Sequence, residues 1–190
     1  FPRSNVRDQE HSGCGVCESN VNPVYMSWSG NRGKSKSSGR RGYHHGNLRE
    51  ALIQAALDLI AAKGPAGFTF AEAARSAGVS PAAPYRHFRD RDALLADVAR
   101  EGFDRFEAFL TTAWNDGRPD TITALGNLGK AYLAFARTET AYYSAMFEAG
   151  VPFDDHPELR QASDRAFAIV RTAAEALCGQ IPQGKRPPAM

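Results

Sequence analysis

Apolar residues recur with helical spacing from residue 48 onward. In the first such stretch they fall three or four positions apart, at Leu48, Ala51, Leu52, Ala55, Ala56, Leu59 and Ile60. This spacing places them on one face of an α-helix. Asn47 followed by Glu50 resembles a capping box at the start, and Gly64 is a residue that ends helices. The pattern therefore predicts a first helix between these positions.

Residues 69–88 predict two short helices joined by a tight turn. Thr69 followed by Glu72 is a capping box, and Gly78 can adopt the positive φ that ends a helix. Ser80 is suited to cap a second helix with Pro81 at its first position. Such a pair is a helix-turn-helix, whose second helix enters the major groove of DNA. An ordinary helical hairpin in an all-α protein is the alternative interpretation.

Pro84 conflicts with a regular second helix. It falls at the fourth helical position and cannot donate a hydrogen bond to the carbonyl oxygen of Ser80. Most N–H groups of a first turn lack partners within their helix in any case. We therefore expect a tightened, 3₁₀-like first turn in a helix that is not broken.

The rest of the chain also has the pattern of helices. Asp90 is suited to cap a helix that runs to about Trp114, and a turn follows at 115–119. The next helix ends near Thr138, and a short aromatic helix precedes a Gly/Pro/Asp loop at 150–157. A long amphipathic helix then carries Leu159, Ala162, Ala166, Ile169, Val170, Ala173 and Leu177 on one face. The pattern predicts an all-α protein.

Four short motifs surround the predicted second helix. They are Gly-Val-Ser at 78–80, Tyr-x-His-Phe at 85–88, Asp-Arg at 90–91 and Leu-Leu at 94–95. Together they resemble the recognition helix and linker of the tetracycline-repressor (TetR) family of bacterial transcriptional regulators, and the resemblance extends back to Leu48. Ala-Ala-Pro-Tyr at 82–85 looks like a subset of that family whose C-terminal domain carries a Trp-His-Gly motif.

The resemblance implies a ligand-responsive repressor that binds a pseudo-palindromic operator in double-stranded DNA as a homodimer. Within the recognition helix it assigns Tyr85 and His87 to phosphate or thymine-methyl contacts and Arg86 to guanine or phosphate. The small residues of that helix would face the groove, and the residues at the starts of the flanking helices would lie on phosphate. The set carried over from the family is Thr69, Ser80, Ala82, Ala83, Tyr85, Arg86, His87 and Arg91.

The second half of the chain is rich in aromatic residues that could bind a small apolar or aromatic effector. An effector site of this kind has apolar walls and a few polar groups. The candidate lining residues are Phe106, Phe109, Leu110, Trp114, Tyr132, Phe135, Tyr143, Met146 and Phe147. Plain core packing is the alternative for each of them. A ligand here would favour one tilt of the helix starting at Asp90, which two domains share, and so change the separation of the two recognition helices.

Charge is unevenly placed along the chain. Residues 1–90 carry 12 Lys/Arg and 7 Asp/Glu (+5), whereas residues 91–190 carry 11 and 14 (−3), which together give the net charge of +2. A basic N-terminal half suits a molecule with one face on phosphate. A run without acidic residues comprises Arg32, Lys34, Lys36, Arg40, Arg41 and Arg49. It could act as an arm on DNA phosphates or in the minor groove, with Arg40 and Arg41 as candidate DNA contacts. A solubilising tail is the alternative.

Residues 1–45 are rich in Gly, Ser, Asn and Arg and are expected to be disordered. The chain begins with Phe, so translation could start instead at Met26. Cys14 and Cys17 form a lone CxxC without the second pair that a zinc site needs, so no metal is expected. Three cysteines make no disulfide framework, which favours a reducing cytoplasm. Because the protein is expected to bind DNA, we expect it to be nucleoid-associated there. No signal peptide or membrane span is recognisable, so no membrane partner is expected.

These observations predict three segments. They are a disordered basic N-terminal segment at 1–45, a three-helix helix-turn-helix DNA-binding domain at 46–92 and a helical ligand-binding and dimerisation domain at 93–190. The resemblance implies two more helices, carrying the dimer interface and the Trp-His-Gly motif, beyond Gly179, where the chain becomes Gln-, Lys- and Pro-rich. We therefore expect a C-terminally truncated domain, and its ability to dimerise stays open.

The sequence carries no phosphate-binding glycine loop, nucleophile elbow or metal-ligand cluster, so neither an enzyme nor a cofactor is expected. The alternative to a ligand-responsive regulator is a DNA-associated architectural helix-turn-helix protein without ligand sensing. The aromatic content of residues 103–147 favours the regulator.

Overall fold

The computed structural model describes residues 48–180, and within that range all regular structure is helical. The predicted all-α fold is confirmed. The six α-helices are α1 (Leu48–Lys63), α2 (Phe70–Ser76), α3 (Arg91–Trp114), α4 (Thr121–Thr138), α5 (Thr140–Phe147) and α6 (Pro157–Gln180). Single 3₁₀ turns lie at Ala83–Arg86, Asn115–Gly117 and Phe153–Asp155. The predictions made for residues 1–47, including Arg40, Arg41 and the Asn47 cap, and for residues beyond 180 lie outside the described range. No helix in this range is long and apolar enough to cross a membrane.

Both ends of α2 form as the local sequence predicts. The Thr69 hydroxyl accepts from the Glu72 amide at 3.2 Å, and the Glu72 carboxylate accepts from the Thr69 amide at 2.8 Å, which completes the capping box. At the other end Gly78 has φ of 75°. The amide of Val79 donates to the Ala74 carbonyl at 2.9 Å, which is the Schellman arrangement that a left-handed glycine permits.

The second helix of the predicted helix-turn-helix is shorter than expected. It is one 3₁₀ turn, Ala83–Arg86, with Ala82 rather than Ser80 at the cap position and Pro84, not Pro81, in its first turn. Because Pro84 has no N–H, the Ser80 carbonyl accepts instead from Ala83, three residues on, at 3.0 Å. The expected tightening at Pro84 is present, but no α-helix follows it before Phe88.

Helix α3 is the element on which the others pack. Its N-cap is Asp90, whose carboxylate accepts from the Ala93 amide at 2.8 Å, and its C-cap is Asn115, with φ of 43°. Helix α1 packs on it, as do α4, α5 and α6. Its buried side chains run the whole length of the helix, from Leu94 to Trp114. Helix α5 also contacts α1, so α1 touches two elements of the second half of the chain.

The spacing between α3 and α5 depends on a glycine. A Cβ added at Gly102 would lie 2.7 Å from the sulfur of Met146 and 3.3 Å from the Cβ of Tyr142. The shorter distance is well inside van der Waals contact, so any side chain at Gly102 would force the two helices apart or displace Met146. The close approach of α5 therefore relies on the absence of a side chain at this position.

Candidate DNA-binding surface and aromatic interior

The recognition segment, residues 80–88, presents most of its side chains to solvent. Tyr85 is 63% exposed, and Arg86 and His87 are also exposed. Pro84 and Phe88 point the other way and are buried. Ser80 and Ala82 are exposed and Ala83 is half-buried. The segment therefore has an exposed face that can contact other molecules, and two buried residues anchor it to the protein.

Both local hydrogen bonds and a tertiary contact hold the recognition segment. The amides of His87 and Phe88 both donate to the Pro84 carbonyl, at 2.9 and 3.0 Å. The ring of Tyr85 meets the ring of Phe70 edge-on, with centroids 5.1 Å apart. The orientation of Tyr85 is thus set by α2, while most of its surface remains available to a ligand.

Thr69 and Arg91, two of the expected phosphate contacts, also have partners inside the protein. Thr69 closes the capping box of α2. The Arg91 guanidinium donates through Nε to the Phe68 carbonyl at 2.9 Å and through Nη2 to the Pro65 carbonyl, and it lies 4.9 Å over the Phe68 ring. These bonds tie the α1–α2 loop to the start of α3. The phosphate contacts of both residues stay predictions.

Arg89 was not among the residues that the sequence singled out. Its side chain is 78% exposed immediately after the recognition segment, and its Nε donates to the Asp90 carboxylate at 2.7 Å. Hydrogen bonds from the Ala93 amide and then from the Arg89 side chain lower the pKa of Asp90. The hydrogen bond to Asp90 in turn raises the pKa of Arg89. Its position directly after the Tyr-x-His-Phe motif is the sequence feature that could have identified it as a candidate.

The predicted pocket residues divide into a buried group and a partly exposed group. Phe106, Leu110 and Phe135 are almost fully buried, and Trp114 and Met146 are buried as well. The Phe106 ring lies 5.0 Å from that of Phe135 and 5.6 Å from that of Tyr132. The structure thus joins residues of α3 and α4 that are distant in sequence into one aromatic cluster.

The partly exposed group forms the rim of this cluster. Phe109 is 37% exposed and Phe147 is 40% exposed. The hydroxyl oxygens of Tyr132 and Tyr143 lie 3.1 Å apart, within hydrogen-bond distance, and the Tyr143 ring packs on that of Phe147 with centroids 4.8 Å apart. The bond with Tyr143, followed by partial burial, raises the pKa of Tyr132, so its phenol is neutral at physiological pH. The rim combines apolar surface with a pair of polar groups.

Two aromatic residues of this cluster were missed by the sequence analysis. Phe153 and Phe167 lie 6.4 and 6.2 Å from the ring of Phe103, and Phe167 also lies 6.2 Å from that of Phe106. Phe153 sits in the loop before α6 and Phe167 is half-buried on α6, at positions that the helical stripe of that element did not include. Only the folded structure shows that these two rings pack against the aromatic cluster.

A groove of about 210 Å³ lies between α3 and the start of α6. Its walls are both apolar and charged, and they are formed by Ala93, Ala96, Asp97, Arg100, Asp155, His156, Pro157, Glu158 and Leu159. No group of His, Cys, Asp and Glu side chains in residues 48–180 is arranged to hold a metal ion. Sequence patterns did not indicate this groove, because its two walls are far apart in the chain.

Family models match both halves of the chain. Residues 52–98 match the model described as bacterial regulatory proteins of the tetR family. Residues 125–189 match the tetracyclin repressor-like C-terminal domain. No curated protein matches the chain.

Several solved structures are similar to the chain. A protein with unknown function from Rhodococcus sp. RHA1 is 32% identical, with a TM-score of 0.59 over 75% of each chain. The TetR family transcriptional regulator PfmR from Thermus thermophilus is 18% identical, with a TM-score of 0.58 over 75% of each chain. A putative TetR-family regulator from Mesorhizobium loti MAFF303099 is 22% identical, with a TM-score of 0.50 over 70% of this chain and 69% of that one. The last two show the fold alone. With its helix-turn-helix half and its C-terminal half both matched by models of this family, the chain belongs to the TetR family of DNA-binding transcriptional regulators.

Proposed function

We propose that this protein is a ligand-responsive repressor that binds a pseudo-palindromic operator as a homodimer. The observation that carries the proposal is the exposed recognition segment, 80–88, joined through the single helix α3 to an aromatic cluster with a partly exposed rim. Two copies related by a two-fold axis would place their recognition segments in successive major grooves, roughly 34 Å apart.

On the DNA side, Tyr85, Arg86 and His87 are the central contacts of the proposal. Their side chains are exposed on a segment whose backbone is fixed from behind by Pro84 and Phe88. Arg86 would supply the guanine or phosphate contact, because a guanidinium can donate two parallel hydrogen bonds to a guanine edge. Alanines at 82 and 83 make no side-chain hydrogen bonds, so apolar contact and DNA shape would contribute the rest of the specificity.

On the effector side, we place the ligand at the rim of the aromatic cluster. Phe109 and Phe147 offer exposed apolar surface there, and the hydroxyls of Tyr132 and Tyr143 offer hydrogen bonds. The fully buried rings of Phe106 and Phe135 would form the floor and not a wall of the site. An apolar or aromatic molecule suits this combination.

Helix α3 connects the two activities in this proposal. We assign residues 46–92 to DNA binding and residues 93–190 to regulation, so that α3 starts in one domain and continues through the other. A ligand that binds one tilt of α3 more tightly would change the spacing of the paired recognition segments. Reciprocally, DNA would weaken the binding of that ligand by the same factor.

A footprint on the DNA upstream of its own gene tests the DNA side of the proposal. The full chain should protect two half-sites related by two-fold symmetry, one helical turn or a multiple of it apart. Protection of a single half-site would contradict the dimer. Protection without any preference for sequence would instead favour an architectural DNA-associated protein.

A further inference from the structure

Arg49, at the start of α1, makes two contacts that matter for the recognition segment. Its Nη2 forms an ion pair with the Asp97 carboxylate on α3. Its guanidinium carbon also lies 6.0 Å from the centroid of the Phe88 ring, at the limit of a cation–π contact. Phe88 is the last residue of the recognition segment and is only 4% exposed. Arg49 thus joins α1, α3 and the recognition segment.

The recognition segment needs such a contact because it has little regular structure of its own. A full helix would fix its side chains through a ladder of backbone hydrogen bonds, whereas one 3₁₀ turn offers only a few. Its position is set by buried Pro84, by the Tyr85–Phe70 contact and, at its C-terminal end, by Phe88. The ring of Phe88 is covered on one side by Arg49.

Asp97 is well placed to orient Arg49. Its side chain is 16% exposed, against 43% for Arg49, and it also lies 3.4 Å from Nε of Arg100 on its own helix. A carboxylate between two guanidinium groups has a restricted set of positions. Asp97 therefore restricts where the Arg49 guanidinium can lie relative to α3, next to the ring of Phe88.

We propose that Arg49, held by Asp97, is a positioning residue for DNA recognition. Its place in the basic run would instead suggest a phosphate ligand. This proposal rests on the proposed function, because it assigns the recognition segment to the operator. It adds a route by which α3 acts on that segment: a shift of α3 moves Asp97, then Arg49, then Phe88.

Asp97→Asn separates the two roles because they predict opposite changes in affinity for the selected duplex. If Arg49 bound phosphate, the substitution would release its guanidinium and remove a negative charge, so affinity for every duplex would rise. If Arg49 positions the recognition segment, affinity for the selected sequence falls by about tenfold, within the range of a lost base-pair contact. Affinity for non-specific duplex then stays unchanged or rises slightly.

The experiment measures binding of the full chain to two probes, a duplex that it selects from a random-sequence pool and poly(dI-dC), over a range of salt concentrations. Arg49→Met should lower affinity for the selected duplex while leaving the salt slope unchanged; a phosphate ligand would lower the slope by about one. Glu107→Gln is the matched control, since it removes another α3 carboxylate paired with an arginine, Arg165, at 3.1 Å.

Hydrogen exchange provides a readout of position that does not depend on DNA. In Asp97→Asn, the amides of His87 and Phe88 should exchange faster, while those of α4 and α6 keep their rates. A rise in affinity for both probes overturns the proposal. So does an unchanged ratio of the two affinities together with unchanged exchange rates of the His87 and Phe88 amides. If the unsubstituted chain does not distinguish the two probes, the proposed function fails, and this role fails with it.

Discussion

Arg86 is the residue to which the proposal assigns a base contact. It lies at the end of the 3₁₀ turn and is exposed. We predict that Arg86→Ala weakens operator binding by about 1–3 kcal/mol, the range for a bidentate contact to guanine. The thermal unfolding midpoint should stay unchanged, because the side chain is exposed to solvent. Equilibrium binding to the footprinted duplex measures the effect.

A matched variant separates this contact from general charge. Lys130→Ala removes one exposed positive charge from α4, away from the recognition segment. It should leave operator affinity nearly unchanged at moderate salt. Equal losses in the two variants would show that Arg86 contributes only through net charge.

Glu72 should make stability depend on pH in the acid range. Hydrogen bonds from Lys63 and then from the Thr69 amide lower the pKa of Glu72 from 4.5 to about 2. A carboxylate with a lowered folded-state pKa stabilises the fold above its unfolded pKa and loses that contribution as pH falls toward its folded pKa. Denaturant unfolding at a series of pH values should therefore show stability lost between about pH 4.5 and pH 2.

Glu72→Gln keeps the capping hydrogen bonds of α2 but cannot titrate. Its stability should change less across this pH window than that of the unsubstituted protein. Glu175→Gln, which removes an exposed carboxylate of α6 that caps no helix, should leave the pH dependence as it was. Identical profiles for the Glu72 variant and the unsubstituted protein would contradict the assignment.

At the scale of elements, the two ends of α2 and the start of α3 followed from sequence, whereas the cap predicted at Ser80 and the long-range contacts did not. Thr69 with Glu72, Gly78 and Asp90 act through bonds to residues at most a few positions away, so a short window contains the whole interaction. The short recognition turn was harder to foresee. The recognition segment has buried residues of its own, Pro84 and Phe88, and a contact from Phe70 on the neighbouring helix α2, and neither burial nor that contact can be read from local spacing.

The candidate sites show the same division. The Tyr-x-His-Phe motif located the exposed recognition segment because its spacing is local. The Arg91 bonds to the α1–α2 loop, more than twenty positions away, could not be inferred from spacing. Aromatic composition indicated a cluster but could not say which rings form its rim, since that depends on how α3, α4 and α5 pack.

The packing of α3 on α5 can be tested at Gly102. We predict that Gly102→Val destabilises the protein by about 1–3 kcal/mol, because the new side chain overlaps Met146 and overpacks the core. Adding Met146→Ala should recover part of the loss, and the double-mutant cycle would measure the coupling. Denaturant unfolding is the measurement.

Gly126→Val on α4 is the matched control for the valine itself. A Cβ at Gly126 meets no atom within 4 Å, so only helix propensity changes there. If the two single variants lose the same stability and Met146→Ala rescues neither, the close approach of α3 and α5 at Gly102 would be contradicted.

At the scale of the whole molecule, the rim of the aromatic cluster should respond to ligands. In a thermal-shift screen of aromatic compounds, at least one should stabilise the protein and lower its affinity for the operator. Stabilisation reaches about 2.7 kcal/mol at a ligand concentration one hundred times Kd. Phe147→Ala should reduce this response while keeping duplex binding, because Phe147 lies on the rim and packs on Tyr143 at 4.8 Å between ring centroids.

Val170→Ala, at a comparably exposed position on α6, should leave the ligand response intact. A full screen in which no compound both stabilises the protein and releases DNA would contradict ligand sensing. The architectural alternative would then account better for a protein that still binds duplex DNA.

Photocrosslinking from position 85 tests most directly whether the recognition segment contacts DNA. A photoreactive phenylalanine derivative replaces Tyr85 in one variant and Leu133, which is 60% exposed on α4, in another. Irradiation of each complex with the footprinted duplex should produce crosslinks from position 85 to bases within the half-sites and none from position 133. Absence of crosslinks from position 85 in a complex that still protects the operator would contradict the account.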